Sequence, residues 1–322
     1  SIVRGKLDFL FTGRYDNVNF DVVDRLAGIR DATRNFNRFT PKFALNYKLT
    51  PYAAIYGSFG LGFDTPAGNE LDNYPLSSDG NLGALNPDLN AQTSKNFELG
   101  TKGNILNHGG KWFKDNVYEL VFYRLQIEDE IVPFIVSNAA YFRNAAKSTR
   151  NGIEFGFTTN IIGGLKSKTA YNFSDFKYDT YTALIYDANG NATTKDYSGN
   201  TAPSVPKHYL SSDLIYNYKI TPSVTAFAKF NYTYVEGMFT DDGNSAKTES
   251  YILLNSGIGM EVTVDNFNLI ANAGLGNLTD KKYVAYININ ADPDRAVDRR
   301  TYYESGVPKN FFAGLNLGYI FR

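Results

Sequence analysis

The sequence predicts an all-β chain, a transmembrane antiparallel up-and-down β-barrel with about twelve strands in these 322 residues. Three observations predict it. Short turns and long loops alternate along the whole chain. Apolar residues recur with period two. The strand-like runs reach about 11–16 residues, against about 5–6 for a soluble strand and about 9–11 for a tilted strand crossing a bilayer.

The short turns fall near Thr50-Pro51, Asn107–Gly110, Ile162–Gly164, Thr221-Pro222 and Val264–Asn266. The long polar loops are Asp64–Thr93, Asp179–Pro206, Thr240–Lys247 and Tyr286–Pro308, with shorter ones near Ala27–Asn35 and Val136–Tyr141. A soluble sheet has no reason to shorten every second connection, whereas an outer-membrane barrel has short periplasmic turns and long outer loops. This puts the long loops at one end and the short turns at the other.

Each run is justified by its alternation. Leu7, Phe9, Phe11 and Tyr15 oppose Asp8, Thr12, Arg14 and Asp16. Ile55, Phe59, Leu61 and Phe63 oppose Tyr56, Ser58, Gly60 and Gly62. Val224, Ala226, Ala228, Phe230, Tyr232 and Tyr234 oppose Thr225, Lys229, Asn231 and Thr233. Ile252, Leu254, Ile258, Met260 and Val262 oppose Asn255, Gly257, Gly259 and Glu261, and Phe267–Gly276 follows the same rule. In the last run, Phe311, Ala313, Leu315, Leu317, Tyr319 and Phe321 oppose Phe312, Gly314, Asn316, Gly318 and Ile320. The apolar set is read as the lipid face and the small or polar set as the lumen.

Composition agrees. The 24 Tyr, 24 Phe and 28 Gly suit strands and membrane girdles, with Trp112 among the girdle residues. No apolar run approaches the ~18 residues of a membrane helix. A net charge of -1 excludes a basic footprint for nucleic acid. There is no Cys, hence no disulfide and no thiolate chemistry. The two His residues, His108 in a short turn and His208 near the outer rim, fall at opposite ends and form no catalytic pair. No enzyme activity, cofactor or metal site is expected. The oxygen-rich stretch Asp64, Asn69, Glu70, Asp72, Asn73, Tyr74, Asp79 and Asn81 lacks the EF-hand spacing, and its residue types are those that turns require.

Five phrases, in order, resemble the barrel of TonB-dependent outer-membrane receptors of the siderophore type: RFTPKFALNYKLTPYAAIYGSFGLGFDTP (Arg38–Pro66), NPDLNAQTSKNFELGTKG (Asn86–Gly103), RNAAKSTRNGIEFGF (Arg143–Phe157), GNLTDKKY (Gly276–Tyr283) and GVPKNFFAGLNLGYIF (Gly306–Phe321). Arg322 after Phe321 departs from an ending on an aromatic. The resemblance implies that residues 1–322 are the C-terminal portion of a barrel of about 22 strands, with the plug domain and its TonB box outside this chain. It also implies a cell outer-membrane location in a Gram-negative bacterium, active uptake of a ferric siderophore or similar chelate, and coupling to the TonB complex through the plug. A self-contained twelve-stranded pore or secretion barrel stays open as the alternative, decided by whether Leu7–Tyr15 and Phe311–Phe321 pair.

Two sets of candidate site residues follow. Glu98, Lys102, Glu154, Lys229 and Glu261 are read as lumenal, facing a plug or a transport path, or else satisfying one another across strands. In the outer loops, Arg295, Arg299, Arg300, Tyr302 and Tyr303, with Tyr74 and Tyr186, are candidates for ligand contact. Arg forks suit carboxylate or catecholate oxygens, and Tyr offers a stacking face with a polar tip. Asp292 and Asp294 can pair with those arginines instead, and the same loop can meet lipopolysaccharide phosphates.

Overall fold

The computed structural model describes residues 5–23, 25, 32–71, 85–105, 112–136, 139–186, 191–287, 289 and 303–321. Its strands are β1 (Leu7–Val22), β2 (Ala32–Thr50), β3 (Ala53–Asp64), β4 (Gln92–Ile105), β5 (Lys114–Val136), β6 (Ala139–Asn160), β7 (Leu165–Tyr186) and β8 (Ala192–Asp196). They continue with β9 (His208–Thr221), β10 (Val224–Val235), β11 (Tyr251–Val264), β12 (Phe267–Gly276), β13 (Val284–Ile287), β14 (Tyr303–Ser305) and β15 (Asn310–Tyr319). One helical turn, α1 (Gly68–Leu71), and a short 3-10 turn at Ile162–Gly164 are the described helices.

Twelve strands form one antiparallel ladder in the order β1-β2-β3-β4-β5-β6-β7-β9-β10-β11-β12-β15, with β8 added on β7 and β13–β14 a separate hairpin. Each strand of the path pairs with the next one along the chain in that path, so the ten inner strands have ladder partners on both edges. Among the described residues, β1 pairs with β2 and β15 with β12, and these two strands are the ends of the path. The predicted short turns join β2–β3, β6–β7, β9–β10 and β11–β12 at one end. Gly163 (φ 71) and Gly164 (φ 87) make the β6–β7 turn, and a Cβ on Gly164 would run into the Asn217 carbonyl. The Asn107–Gly110 turn and His108 lie outside the described residues.

Register carries the period-two reading across the sheet. Tyr218, Ala226, Met260, Ala271 and Leu315 form one outward row, and Tyr216, Ala228, Ile258, Ala273 and Ala313 the next. Outward apolar side chains stay open, with Ile258 67%, Leu317 68% and Leu315 74% exposed. A water-soluble protein rarely shows an apolar face of this extent, whereas lipid requires one. On the lumenal face, aromatic rings lie over glycines of the neighbouring strand: Tyr56 on Gly100, Tyr123 on Gly152, Phe227 on Gly259 and Phe312 on Gly274. A Cβ at any of these glycines would occupy the ring's place, so the missing side chain is what lets the ring lie flat.

The outer loops depart from expectation. Asp179–Pro206 was expected as an open polar loop. Instead β7 runs on to Tyr186 and folds back through β8, because Tyr178, Tyr181 and Ala183 have buried sites to fill there. Val136–Tyr141 shrinks similarly, with β5 extending to Val136 and β6 starting at Ala139. Tyr286–Pro308 is partly paired, Tyr303 of β14 standing opposite Ile287 of β13.

Ile258 lies near the middle of β11 on the outward face. Ile258→Arg is expected to destabilise the folded barrel in liposomes by about 2–4 kcal/mol, read from urea unfolding. An unchanged midpoint would contradict the lipid-facing assignment.

Candidate functional site

The lumenal wall is built by alternation and register. Glu98 of β4 stands opposite Ser58 of β3 and Tyr123 of β5, and Lys102 opposite Glu119. Glu154 of β6 stands opposite Val121 and Asn172. Together with Tyr56, Glu119, Arg150 and Asn172, Glu98 and Glu154 line a recess of roughly 820 Å³ in the wall. Glu98 accepts from Asn96 Nδ2 at 2.7 Å and from Ser58 Oγ at 3.4 Å. Tyr56 OH donates to Glu119 Oε1 at 3.4 Å, and the Lys102 ammonium sits 5.4 Å from the Tyr56 ring centre. Arg150 donates to Ser174 Oγ at 2.7 Å beside the Tyr123 ring. The arrangement offers carboxylates, amides and cations in one wet surface.

All five predicted lumenal charges share this face, but the structure separates them. Glu98, Lys102 and Glu154 belong to the β3–β7 wall. Lys229 lies over the Phe227 ring, 5.2 Å from its centre, and Glu261 accepts from Asn268 Nδ2 at 2.7 Å, both on the β10–β12 wall. Glu119, Arg150 and the ring-on-glycine tyrosines went unpredicted, since only register shows what they face.

At the outer end, two folded caps replace what read as solvated loops. In the first, residues 236–250 lie against β7 and the segment after β8. Tyr178 OH donates to Asp242 Oδ1 at 2.7 Å and Tyr181 OH to Oδ2 at 3.2 Å, while Asn200 Nδ2 donates to the Asp242 carbonyl at 2.7 Å. Asn244 exchanges two hydrogen bonds with the Thr201 backbone. Asp242 is buried, and burial together with its charge holds both tyrosine hydroxyls well above the ordinary Tyr range. Burial also pushes the Glu130 carboxyl up, against the hydrogen bond it accepts from Ser148 Oγ, and Asp242 adds to the rise. Beside this cap, Tyr171 OH meets His208 Nδ1 at 2.8 Å, and Lys247 pairs with Glu236 at 2.9 Å.

The second cap comes from the β3–β4 connection. Leu71, Leu85 and Leu89 are buried against Phe36, Phe20 and Phe63. The Arg34 guanidinium clamps it by donating to the carbonyls of Asn86 and Leu89, both at 2.7 Å. The apolar spacing Leu71, Leu85, Leu89 in an otherwise polar stretch was the available signal for it. Among the described residues no group of three or more His, Cys, Asp or Glu side chains is placed to hold a metal ion.

Of the outer-loop candidates, Tyr303 is described and half exposed on β14. Tyr186 ends β7 opposite Ala192. Tyr74, Arg295, Arg299, Arg300 and Tyr302 lie outside the described residues.

The long unbroken ladder, the one-sided turns and the polar inner wall have counterparts among known proteins. Residues 2–278 match the family model for TonB dependent receptor-like, beta-barrel domains. This chain belongs to the TonB-dependent receptor family. The ferrioxamine B receptor of Salmonella typhimurium (strain SL1344) is 24% identical over 281 residues, 87% of this chain and 35% of that protein. The ferric yersiniabactin uptake receptor FyuA from Yersinia pestis superposes with a TM-score of 0.68 at 17% identity, over 99% of this chain and 44% of its own. The copper transporter OprC does so with a TM-score of 0.69 at 13% identity, over 98% and 45%. This chain therefore spans about a third of the curated relative's length and less than half of either solved chain. These are receptors and transporters by name, and the fold is common to them.

Two outcomes are expected of the first cap. Asp242→Ala leaves two buried hydroxyls without their acceptor, at a cost of about 1–3 kcal/mol. Amide exchange in residues 236–250 should quicken accordingly, with β10 and β11 unchanged; quickening along the whole ladder would count against a local cap. Glu130 gives the pH dependence. A carboxyl raised by folding contributes stability that is full below its unfolded pKa of about 4.3 and lost as pH rises through the folded value. Glu130→Gln should thus slow exchange in this region at neutral pH and change little at pH 4.

Proposed function

We propose that the chain is the barrel portion of an outer-membrane receptor of a Gram-negative bacterium that takes up a ferric siderophore or a similar chelate. The carrying observation is the continuous ladder of twelve strands with one apolar and one charged face. It makes a membrane wall whose inner surface accepts polar material. The family membership and the similarity to a ferrioxamine B receptor support the iron-chelate reading. In this reading, Arg295, Arg299, Arg300, Tyr302, Tyr303, Tyr74 and Tyr186 meet the ligand from the outer loops. Glu98, Lys102, Glu154, Lys229 and Glu261 face a plug that is outside residues 1–322, and that plug couples to the TonB complex. The second reading, a closed twelve-stranded pore, requires β1 to pair with β15; among the described residues the two stand at opposite ends of the ladder, each with one partner.

The test is ligand titration of the full-length receptor, followed by intrinsic fluorescence. Saturable binding is expected for a ferric hydroxamate or ferric catecholate and not for the iron-free chelator. Arg295→Gln with Arg299→Gln and Arg300→Gln should weaken it on the order of tenfold or more, as loss of charge-assisted hydrogen bonds does. Absence of saturable binding across ferric chelates, with conductance in planar bilayers instead, would sink the receptor reading in favour of the pore.

A further inference from the structure

The phrase Gly276–Tyr283 lies apart from the lumenal recess and from both caps. It begins the last outer connection, which leaves β12 at Gly276 and returns to β15 at Asn310, its partner in register. Two legs of chain thus rise side by side from one rung, and Asn277 ties them together. Asn277 is buried, and its Nδ2 donates to the Lys281 carbonyl at 2.8 Å on its own leg and to the Val307 carbonyl at 3.2 Å on the returning one. Its Oδ1 accepts from Lys281 N at 2.8 Å. Three residues on, Asp280 Oδ1 accepts from Lys309 N at 2.8 Å, a second tie between the legs. Tyr283 adds a third. Its carbonyl accepts from Gly306 N at 2.8 Å, and its ring covers Gly306, where a Cβ would occupy the ring's place. The same ring packs on Tyr251, with 4.7 Å between centres.

Both turn residues are left-handed, Asn277 at φ 49 and Asp280 at φ 50, a region that glycine, Asn and Asp enter at least cost. The Asn277 backbone is anchored below: its N–H donates to Asn255 Oδ1 at 2.9 Å, and Asn255 continues the chain of amides to Asn231 and Asp213 on the lumenal wall. The side chain's own hydrogen bonds go to the connection, while the rungs of β12 are held by β11 and β15. What the side chain closes is therefore the foot of a long loop. That loop carries the β13–β14 hairpin, where Tyr303 stands half exposed opposite the buried Ile287. A loop closed at its foot samples fewer arrangements, so less ordering is left to occur on binding. We infer that Asn277 is a positioning residue, which fixes the foot of the last outer connection and so presents Tyr303 to ligand. This role presupposes the receptor reading, which gives Tyr303 a ligand to meet.

Asn277→Gly removes the side-chain ties and keeps the left-handed backbone. In the full-length receptor this variant is expected to bind ferrioxamine B, or a ferric tris-catecholate used beside it, about tenfold more weakly than the wild type. Amide exchange should quicken in residues 281–287 and 303–309 and stay unchanged in β11 and β12. A cross-link at the foot separates positioning from a general loss of stability. Val284 and Ser305 are partners in register, within disulfide reach, and residues 1–322 hold no Cys to interfere. Asn277→Gly with Val284→Cys and Ser305→Cys should regain wild-type affinity when oxidised and lose it again when reduced. Affinity unchanged in Asn277→Gly, or lost and not regained on oxidation, overturns the proposal. Folding of each variant is checked by heat-modifiable migration. If Asn277→Gly does not fold, Asp280→Gly, which removes the other side-chain tie, is measured in the same way with the same two outcomes. A wild type that binds neither chelate saturably takes down the receptor reading and this role with it, whereas unchanged exchange at 281–287 and 303–309 sinks the positioning role alone.

Discussion

One constraint governs this structure: in hydrocarbon no water is at hand to satisfy a peptide group, so each N–H and C=O must find its partner inside the protein. An antiparallel ladder between sequence neighbours meets this with short connections. Strand length, turn position and topology all follow from it. The strands run 10 residues or longer along the main path because a shorter one would leave peptide groups bare in the membrane. The outward side chains can then be uniformly apolar, and all polar function is confined to the lumen and the two ends.

Beyond the hydrocarbon the constraint relaxes, and the chain stabilises itself by other means. β5, β6 and β7 continue well past a membrane's thickness, to 22 or 23 residues. Their outer ends fold as a small soluble protein would. Apolar residues are buried (Leu71, Leu89, Tyr181), and buried polar groups are paired, as Asp242 is with two tyrosines. The buried carboxylate of Asp242 comes from a loop, and the extended β7 supplies the hydroxyl donors that its burial demands. The two caps meet on β5 and β6, the first through Val132 and Ala146 and the second through Ile131 and Phe142.

The lumenal wall shows how much a register adds to a pattern. Period-two alternation was enough to put Glu98, Lys102, Glu154, Lys229 and Glu261 on one face, and they are on one face. It had no means of showing that Glu98 and Glu154 line one recess with Glu119 and Arg150, while Lys229 and Glu261 stand on a different stretch of wall. Alternation is a property of one strand. Proximity between strands depends on how far each slides along its neighbour, and bulges such as those in the β5–β6 and β6–β7 pairings shift it again. The ring-on-glycine contacts belong to the same class, since a glycine's neighbour across the ladder is invisible in the chain that carries it.

By itself, the sequence determined the fold class, the strands of the main ladder, the end at which the short turns lie and which residues of a strand share a face. Each of these is dictated by local periodicity and turn chemistry acting under the solvent the strand must cross. The tertiary structure alone decided the rest. Tyr178, Tyr181 and Asp242 meet although more than sixty residues separate the first from the last. Arg34 reaches across to the Asn86 and Leu89 carbonyls, and four lysines gather around two carboxylates on the outer face. These are contacts between segments that share no local signal. Their energy comes from pairing groups that burial or charge would otherwise penalise, and that pairing exists only once the ladder has brought distant strands to their register.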